Sequence, residues 1–200
     1  MHQKMERTLV IIKPDGVQRS LISEITSRFE RVGLKLVGLK MVIPTPAQVE
    51  QHYTIDPAWK QRTGEKRLAA YQKDGRTPPS TDPIELANHV IRRLQIYMSS
   101  GPVIVMAWQG AHSVAIVRKL IGSTEPLSSD VGTIRGDFML DSYELSEQDD
   151  RSVRNVVHAS GTVDEANMEL NNWFDAAELH DYKLVQEQIL YDVNLDGKKE

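Results

Sequence analysis

Short apolar runs of strand length alternate in this chain with segments of helical periodicity, and this alternation constrains the fold more than any other feature. The first run, Thr8 to Lys13, is continuously apolar at its centre and rich in β-branched residues. Such a run is typical of a strand that is buried on both faces. Apolar residues from Leu21 to Val32 then recur three and four positions apart, and Gly33 follows. This pattern predicts an amphipathic helix that ends at a left-handed glycine.

Pro14-Asp15-Gly16 is predicted to end the first strand, and further elements then continue the alternation. The other predicted strands cover Leu34 to Val42, Val103 to Trp108 and Asn155 to Val157. The other predicted helices cover Ala47 to His52, Arg62 to Gln72, Ile84 to Tyr97 and His112 to Ile121, and a last one begins near Thr162. This order contains the split β-α-β pattern of a ferredoxin-like βαββαβ sandwich, an α/β (α+β) fold with an antiparallel four-stranded sheet.

Two polar stretches interrupt the pattern and are interpreted as insertions. The first covers about residues 54–83, and the second covers about residues 141–154, at the end of a long connection over 123–154. Long connections in small domains often carry function. The preferred interpretation of the second insertion is a solvated acidic loop, with a regulatory role as the alternative. We expect one domain over residues 1–192 and a polar tail over 193–200.

Composition argues against several classes of function. The formal net charge of −4 disfavours the broad basic surface of a nucleic-acid-binding protein. The chain has no cysteine, which leaves out disulfides, thiolate metal sites and a cysteine nucleophile. Its longest strongly apolar stretch, Val103 to Trp108, is far shorter than the ~20 residues that cross a bilayer, and the N-terminus lacks the apolar core of a signal peptide. We therefore expect a cytoplasmic protein without a nucleic-acid or membrane partner.

His158 is the histidine whose surroundings point most clearly to chemistry. It follows the buried pair Val156-Val157 and precedes a turn that opens a helix, where backbone N–H groups can bind an anion. Thr162 and Glu165 match a capping box. Glu169 lies at the flank of the apolar stripe of that helix, and an inward carboxylate could fix the tautomer of the imidazole and direct its other nitrogen. The alternatives are an ordinary packing histidine and a solvated glutamate.

The segment Asn155-Val-Val-His158-Ala-Ser160 resembles the Asn-x-x-His-x-Ser motif of nucleoside diphosphate kinases. More blocks resemble that family in order and spacing. They are Arg7-Thr8 with Ile12 to Arg19, His52-Tyr53, Tyr97 to Val103, and Arg118 with Gly122 to Phe138. The resemblance covers most of the chain outside the two insertions.

The resemblance implies a role for each matched residue. His158 would be the nucleophile, Glu169 would hold its far ring nitrogen, Ser160 would bond that carboxylate, and Tyr53 would lie beside the reacting group. The implied nucleotide contacts are Lys13, Leu94, Arg118, Thr124, Arg135 and Asn155. Of these, Lys13 and Asn155 would contact the sugar.

The implied activity is ping-pong transfer of the γ-phosphoryl group from ATP or another nucleoside triphosphate to a nucleoside diphosphate, through a phosphohistidine. Mg²⁺ would be bound through the nucleotide phosphates rather than by protein ligands. Family members are usually tetramers or hexamers, so a homo-oligomer is expected. The rival hypotheses are a degenerate nucleotide-binding module and a protein histidine phosphotransferase.

The chain departs from the family pattern in two places. Ala159-Ser160-Gly161-Thr162 replaces the usual Gly-Ser-Asp-Ser, which predicts a different entrance to the following helix. The aromatic residue that stacks on the base aligns near Val90, which cannot stack, while Leu94 keeps the neighbouring apolar position. Trp59, in the first insertion, is a candidate substitute.

Overall fold

The centre of the computed structural model is a four-stranded antiparallel sheet, and the structure describes residues 5–73 and 75–192. Its strands are β1 (Arg7–Ile12), β2 (Lys35–Val42), β3 (Val103–Gln109) and β4 (Val157–Ala159), in the order β2-β3-β1-β4. Every adjacent pair is antiparallel. The predicted ferredoxin-like α/β sandwich with an antiparallel four-stranded sheet is confirmed.

Helices cover both faces of this sheet. They are α1 (Pro14–Gln18), α2 (Ile22–Arg31), α3 (Pro46–Tyr53), α4 (Trp59–Lys73), α5 (Pro83–Met98), α6 (Ser113–Ile121), α7 (Ile134–Phe138), α8 (Tyr143–Gln148) and α9 (Val163–Trp173). Gly33, just beyond α2, has a φ of +88°, which confirms the predicted glycine cap. No helix within the described ranges is both long and apolar enough to span a membrane.

The sheet separates two apolar clusters, and β1 contributes to both. Val10 and Ile12 pack with Phe29 of α2 on one face, whereas Ile11 packs with Leu170 of α9 on the other. All of these residues are buried. Successive side chains of a strand point to opposite faces of the sheet. The run that forms β1 is continuously apolar at its centre because both faces of the strand are buried, as inferred from the sequence.

Several predicted boundaries are wrong. The first strand ends before Pro14, as predicted, but Pro14 also begins α1, which was not predicted; a proline at the first helical position loses no intrahelical hydrogen bond. The last strand begins at Val157 rather than Asn155, because Val156 has a φ of +58°, which no strand tolerates. The connection over 123–154 contains α7 and α8.

Both insertions are folded against the domain. The first contains α4, as predicted, which packs along α5. Gly64 allows this approach, since a Cβ atom there would lie 1.8 Å from the carbonyl oxygen of Pro83. The second insertion is not the solvated loop expected, because Asp141 is buried and Glu147 accepts hydrogen bonds from three side chains. The predicted tail, 193–200, lies outside the described residues.

Candidate active site

His158 occupies the middle of β4, opposite Ile11 of β1. Its Nε2 atom lies 2.8 Å from Oε1 of Glu169, which α9 directs inward. The hydroxyl of Ser160 donates to the other carboxylate oxygen of Glu169 at 2.5 Å. Among the described residues, His158 Nδ1 has no hydrogen-bond partner, so this nitrogen is left to the cavity.

The hydrogen bonds assign the tautomer of His158. With Glu169 ionised, both of its oxygens only accept, so we assign the imidazole proton to Nε2 and the lone pair to Nδ1. Burial and then the charge of Lys13 lower the pKa of His158, which keeps the ring neutral at physiological pH. Burial raises the pKa of Glu169, while His52 and the hydrogen bond from Ser160 oppose that rise. A neutral, oriented imidazole with a free Nδ1 is suited to nucleophilic attack.

The backbone that leads into β4 is strained. Val156 has a φ of +58°, and the N–H of Val157 donates to the carbonyl of Asn155 at 2.6 Å, which closes a γ-turn. A positive φ in a β-branched residue costs about 1–3 kcal/mol. The N–H of Lys13 donates to the carbonyl of Val156 at 2.9 Å and helps to hold this turn. The strained turn lies directly before the candidate nucleophile, a position where such strain is often functional.

Arg135 of α7 stabilises the same turn through hydrogen bonds. Its guanidinium donates to the carbonyls of Asn155 (3.2 Å), Val157 (2.7 Å), Gly122 (3.1 Å) and Ser123 (2.8 Å). Burial and then the charge of Arg118 lower its pKa to about 10, so it remains a cation at neutral pH. Arg135 thus supplies positive charge to the cavity while its donors are already engaged with the backbone.

Lys13 extends from the end of β1 into the site. Its Nζ atom donates to Oδ1 of Asn155 at 2.6 Å, and Nδ2 of Asn155 donates to the carbonyl of Thr124 at 2.9 Å. Burial and then the charge of Arg135 lower the pKa of Lys13 to about 7. A bound anion would favour the charged form again, which makes Lys13 a group whose ionisation depends on the ligand.

Two aromatic residues of α3 lie beside His158. The ring of His52 stands edge-on at 4.5 Å between centroids, and that of Tyr53 lies at 5.8 Å. The indole N–H of Trp173 donates to His52 Nδ1 at 3.1 Å, and burial lowers the pKa of His52 to about 3. Burial raises the pKa of Tyr53, whose buried hydroxyl has no hydrogen-bond partner among the described residues. His52 was missed as a site residue, although its pairing with Tyr53 was already visible in the sequence.

His52, His158 and Glu169 also bring potential metal ligands together. Their donor atoms lie within 4.8 Å of one another. However, His52 Nδ1 already accepts from Trp173, and both oxygens of Glu169 accept from His158 and Ser160. A metal ion at this cluster would therefore have to break these hydrogen bonds, although Nε2 of His52 is buried without a hydrogen-bond partner among the described residues.

A cavity of about 1140 Å³ opens in front of His158. It is lined by every predicted site residue except Ser160, namely Lys13, Tyr53, Leu94, Arg118, Thr124, Arg135, Asn155, His158 and Glu169. Ser160 lies behind Glu169 and is buried. The anion site expected at the start of α9 is partly closed, because the N–H of Gly161 donates to Glu165 at 2.7 Å and that of Glu165 to Thr162 at 3.1 Å.

Comparison with known proteins gives a consistent result. The family model for nucleoside diphosphate kinase matches residues 6–62 and 86–179. The gap between these ranges falls on the segment that holds most of α4. A nucleoside diphosphate kinase from Pyrobaculum aerophilum is 45% identical over 179 residues, 88% of this chain and 98% of that protein. One from Prochlorococcus marinus is 40% identical over 177 residues, 88% of this chain and 91% of that protein.

Solved structures are similar as well. The NDP kinase from Pyrobaculum aerophilum superposes with a TM-score of 0.85 at 45% identity and covers 88% of this chain and 100% of that one. The nucleoside-diphosphate kinase from Borrelia burgdorferi, a transition-state mimic with bound vanadate and ADP, has a TM-score of 0.76 at 35% identity. That match covers 92% of this chain and 96% of the other.

Proposed function

This chain belongs to the nucleoside diphosphate kinase family, and we propose that it transfers the γ-phosphoryl group of a nucleoside triphosphate to a nucleoside diphosphate through a phosphohistidine at His158. One observation carries this proposal. The neutral ring of His158 is held at Nε2 by Glu169, and its Nδ1 lone pair is left to a cavity lined by cations. The degenerate-module hypothesis loses its basis, because the nucleophile, its carboxylate partner and Lys13 are all present.

In the first half of the reaction, the lone pair on Nδ1 of His158 attacks the γ-phosphorus of the bound triphosphate. The bond between that phosphorus and the bridging oxygen breaks, and the diphosphate leaves with the electron pair. In the second half, a terminal oxygen of an acceptor diphosphate attacks the same phosphorus and returns the lone pair to Nδ1. No proton changes hands, so Glu169 is needed to orient the ring and stabilise the charge that it gains.

The remaining residues stabilise charge on the transferring group. Lys13, Arg118 and Arg135 supply positive charge around the cavity, and the unpartnered hydroxyl of Tyr53 is a donor available to a phosphoryl oxygen. We assign Thr124 to the phosphates, Asn155 to the sugar and Leu94 to the base. Each hydrogen bond to a charged group contributes ~1.5–3 kcal/mol, and phosphoryl transfer depends mainly on such contacts and on positioning.

Mg²⁺ is proposed to arrive bound to the phosphates of the nucleotide, where it neutralises their charge. Two carboxylates that line the cavity already have partners in the protein. Glu169 is hydrogen-bonded to His158 and Ser160, and Glu147 is hydrogen-bonded to arginine and tyrosine side chains, which agrees with Mg²⁺ being held by the nucleotide rather than by these residues. Mg²⁺ usually keeps several waters and is held with the help of substrate phosphates.

We further propose a cytoplasmic homo-oligomer, a tetramer or a hexamer, that acts on nucleotides and binds neither nucleic acid nor membrane. Light scattering of the purified chain measures its mass in solution. A monomer would contradict the proposed assembly without affecting the proposed chemistry.

Steady-state kinetics test the ping-pong order. Initial rates measured against ATP at several fixed concentrations of a second diphosphate should give parallel double-reciprocal lines. The protein should also exchange label between ATP and ADP when no second diphosphate is present. Intersecting lines together with an absence of exchange would mean direct transfer between two bound nucleotides, and the phosphohistidine route would be wrong.

A further inference from the structure

The two insertions meet at a single carboxylate. Glu147 of α8 accepts from the hydroxyl of Tyr71 at 2.6 Å, from Nη2 of Arg67 at 2.5 Å and from Nη1 of Arg93 at 3.0 Å. Tyr71 and Arg67 belong to α4, whereas Arg93 belongs to α5. One side chain therefore joins three helices. We call α4 and α8, the helices of the two insertions, the outer wall.

Glu147 is charged under physiological conditions. Burial alone would raise its pKa, but the hydrogen bonds from Tyr71, Arg67 and Arg93 lower the pKa to about 2. Its side chain is only 14% exposed. Removing the charge would leave Arg67 without its carboxylate partner and Arg93 with Asp150 alone, which destabilises the packing of the two guanidinium groups.

A second ion pair closes the base of the insertion that carries α8. Asp141 accepts from Arg151 in a bidentate pair at 2.6 and 3.0 Å, and it accepts from the N–H of Arg154 at 2.5 Å. Arg93 also donates to Asp150 at 2.9 Å. Asp141 therefore joins the two ends of this insertion to each other, while Arg93 of α5 attaches the C-terminal end of α8 to the domain.

The outer wall borders the cavity that contains His158. Trp59 and Arg67 of α4 and Tyr143 and Glu147 of α8 line this cavity together with the active-site residues. His158, Arg118 and Arg135 define the end that takes the phosphates. The nucleoside of an extended nucleotide therefore points away from them, into the space between α5 and the outer wall.

The α5 side of this space offers no aromatic ring to a base. The residues of α5 that line the cavity are Val90 and Leu94, which are aliphatic, and Arg93, whose guanidinium already donates to Glu147 and Asp150. On that side a base meets two aliphatic side chains and an arginine that is already paired, so the outer wall on the opposite side supplies the remaining contacts. The position of the outer wall accordingly matters for nucleoside binding.

We propose that Glu147 is a positioning residue for the nucleoside end of the substrate, because it fixes α4, α5 and α8 against one another around the base and sugar. This inference rests on the proposed function, since it takes a nucleotide as the occupant of the cavity. Glu147 does not contact the reacting atoms and acts through the outer wall.

The test is the variant Glu147→Gln, which keeps the shape of the side chain and removes its charge. We expect the KM for ATP and for the acceptor diphosphate to rise about tenfold, with kcat changed less than about twofold. Phosphoramidate, a phosphoryl donor without a nucleoside, should label His158 at a rate within about twofold of the wild type. Glu65→Gln is the matched control, because Glu65 lies on α4, is exposed and does not line the cavity.

The outcomes separate the two proposals. An unchanged KM in Glu147→Gln, with only a lower melting temperature, would make Glu147 a purely structural residue and overturn this inference. Failure of the wild type to label His158 with phosphoramidate or ATP would instead overturn the proposed function. If Glu147→Gln does not fold, Tyr71→Phe decides, because it removes one hydrogen bond and should raise KM about threefold, and an unchanged KM would contradict the inference.

Discussion

The floor of the active site and the outer wall are held in place by different means. The floor consists of β1, β4 and α9, where His158, Glu169 and Ser160 are joined by hydrogen bonds inside the sheet and its covering helix. The outer wall is attached by the packing of α4 along α5 and by arginine–carboxylate pairs, and one of the carboxylates, Asp150, is 85% exposed. The floor cannot shift without breaking strand pairing, whereas the outer wall can shift at the cost of side-chain contacts. We therefore expect changes in the floor to act on kcat and changes in the outer wall to act on KM.

The largest effect is expected at the nucleophile. His158→Gln removes the Nδ1 lone pair while keeping a polar side chain of similar size. We expect kcat to fall by at least about 10⁴-fold, with the dissociation constant for ADP within about threefold of the wild type. Stopped-flow rates and calorimetric titration with ADP measure the two quantities. Retained turnover would show that another residue carries the phosphoryl group.

A smaller effect on kcat is expected at Glu169. Glu169→Gln keeps an acceptor for Nε2 of His158 but loses the charge, and a hydrogen bond to a neutral acceptor is weaker by ~1.4 kcal/mol. We expect kcat to fall about tenfold while KM stays within about twofold. A matched change on the exposed surface of α9, Asp164→Asn, should leave both unchanged. An increase confined to KM would place Glu169 among the binding residues and would break the distinction between floor and outer wall.

Substitution of Trp59 tests the contribution of the outer wall to nucleotide binding. Trp59 lies on α4 and lines the cavity. It is a candidate to stack on the base, because Val90, at the aligned position of the family aromatic residue, cannot stack. Stacking on an aromatic residue contributes ~1–3 kcal/mol per base, so Trp59→Ala should raise the KM for ATP about fivefold without changing kcat. Trp59→Phe should keep most of the affinity. If Trp59→Ala binds ATP as tightly as the wild type, the base lies elsewhere.

The smallest expected effect is a proton taken up by Lys13. Its pKa of about 7 in the free protein is lower than its usual value of 10.5, so the side chain loses its proton as the pH rises through 7. Bound phosphates favour the charged form and raise that pKa. ADP binding at pH 8 should therefore take up more protons than at pH 6, by up to about one proton.

Calorimetric titrations in two buffers with different ionisation enthalpies measure this uptake. Lys13→Met is the control, and it should remove the difference between pH 8 and pH 6. If the variant keeps the same difference, another group titrates and the ionisation assigned to Lys13 is wrong.

The sequence predicted the elements whose cause is local. β1 was visible as an unbroken apolar run because both of its faces are buried, and α2 was visible from its spacing and Gly33. The start of β4 could not be predicted, because a β-branched residue such as Val156 gives no sign in the sequence of a positive φ. That backbone is held by Arg135 and Lys13, which are distant in sequence.

The site could be predicted largely through family resemblance. Lys13 and Asn155 are 142 residues apart and bond across the site, a contact that no local pattern reveals. Glu147 was mistaken for part of a solvated loop because its partners Arg67 and Tyr71 lie 80 and 76 residues away. The two insertions also lie outside the segments that resemble the family, so their contact with each other could be seen only in the structure.

Identification of the phosphorylated residue tests the central claim most directly. The protein is incubated briefly with γ-labelled ATP and Mg²⁺, and the labelled chain is treated with acid and with alkali before peptide mapping. The account predicts one label, on His158, that is lost in acid and stable in alkali, and no label in His158→Ala. A label that persists in His158→Ala, or that is stable in acid as a phosphoserine is, would contradict it.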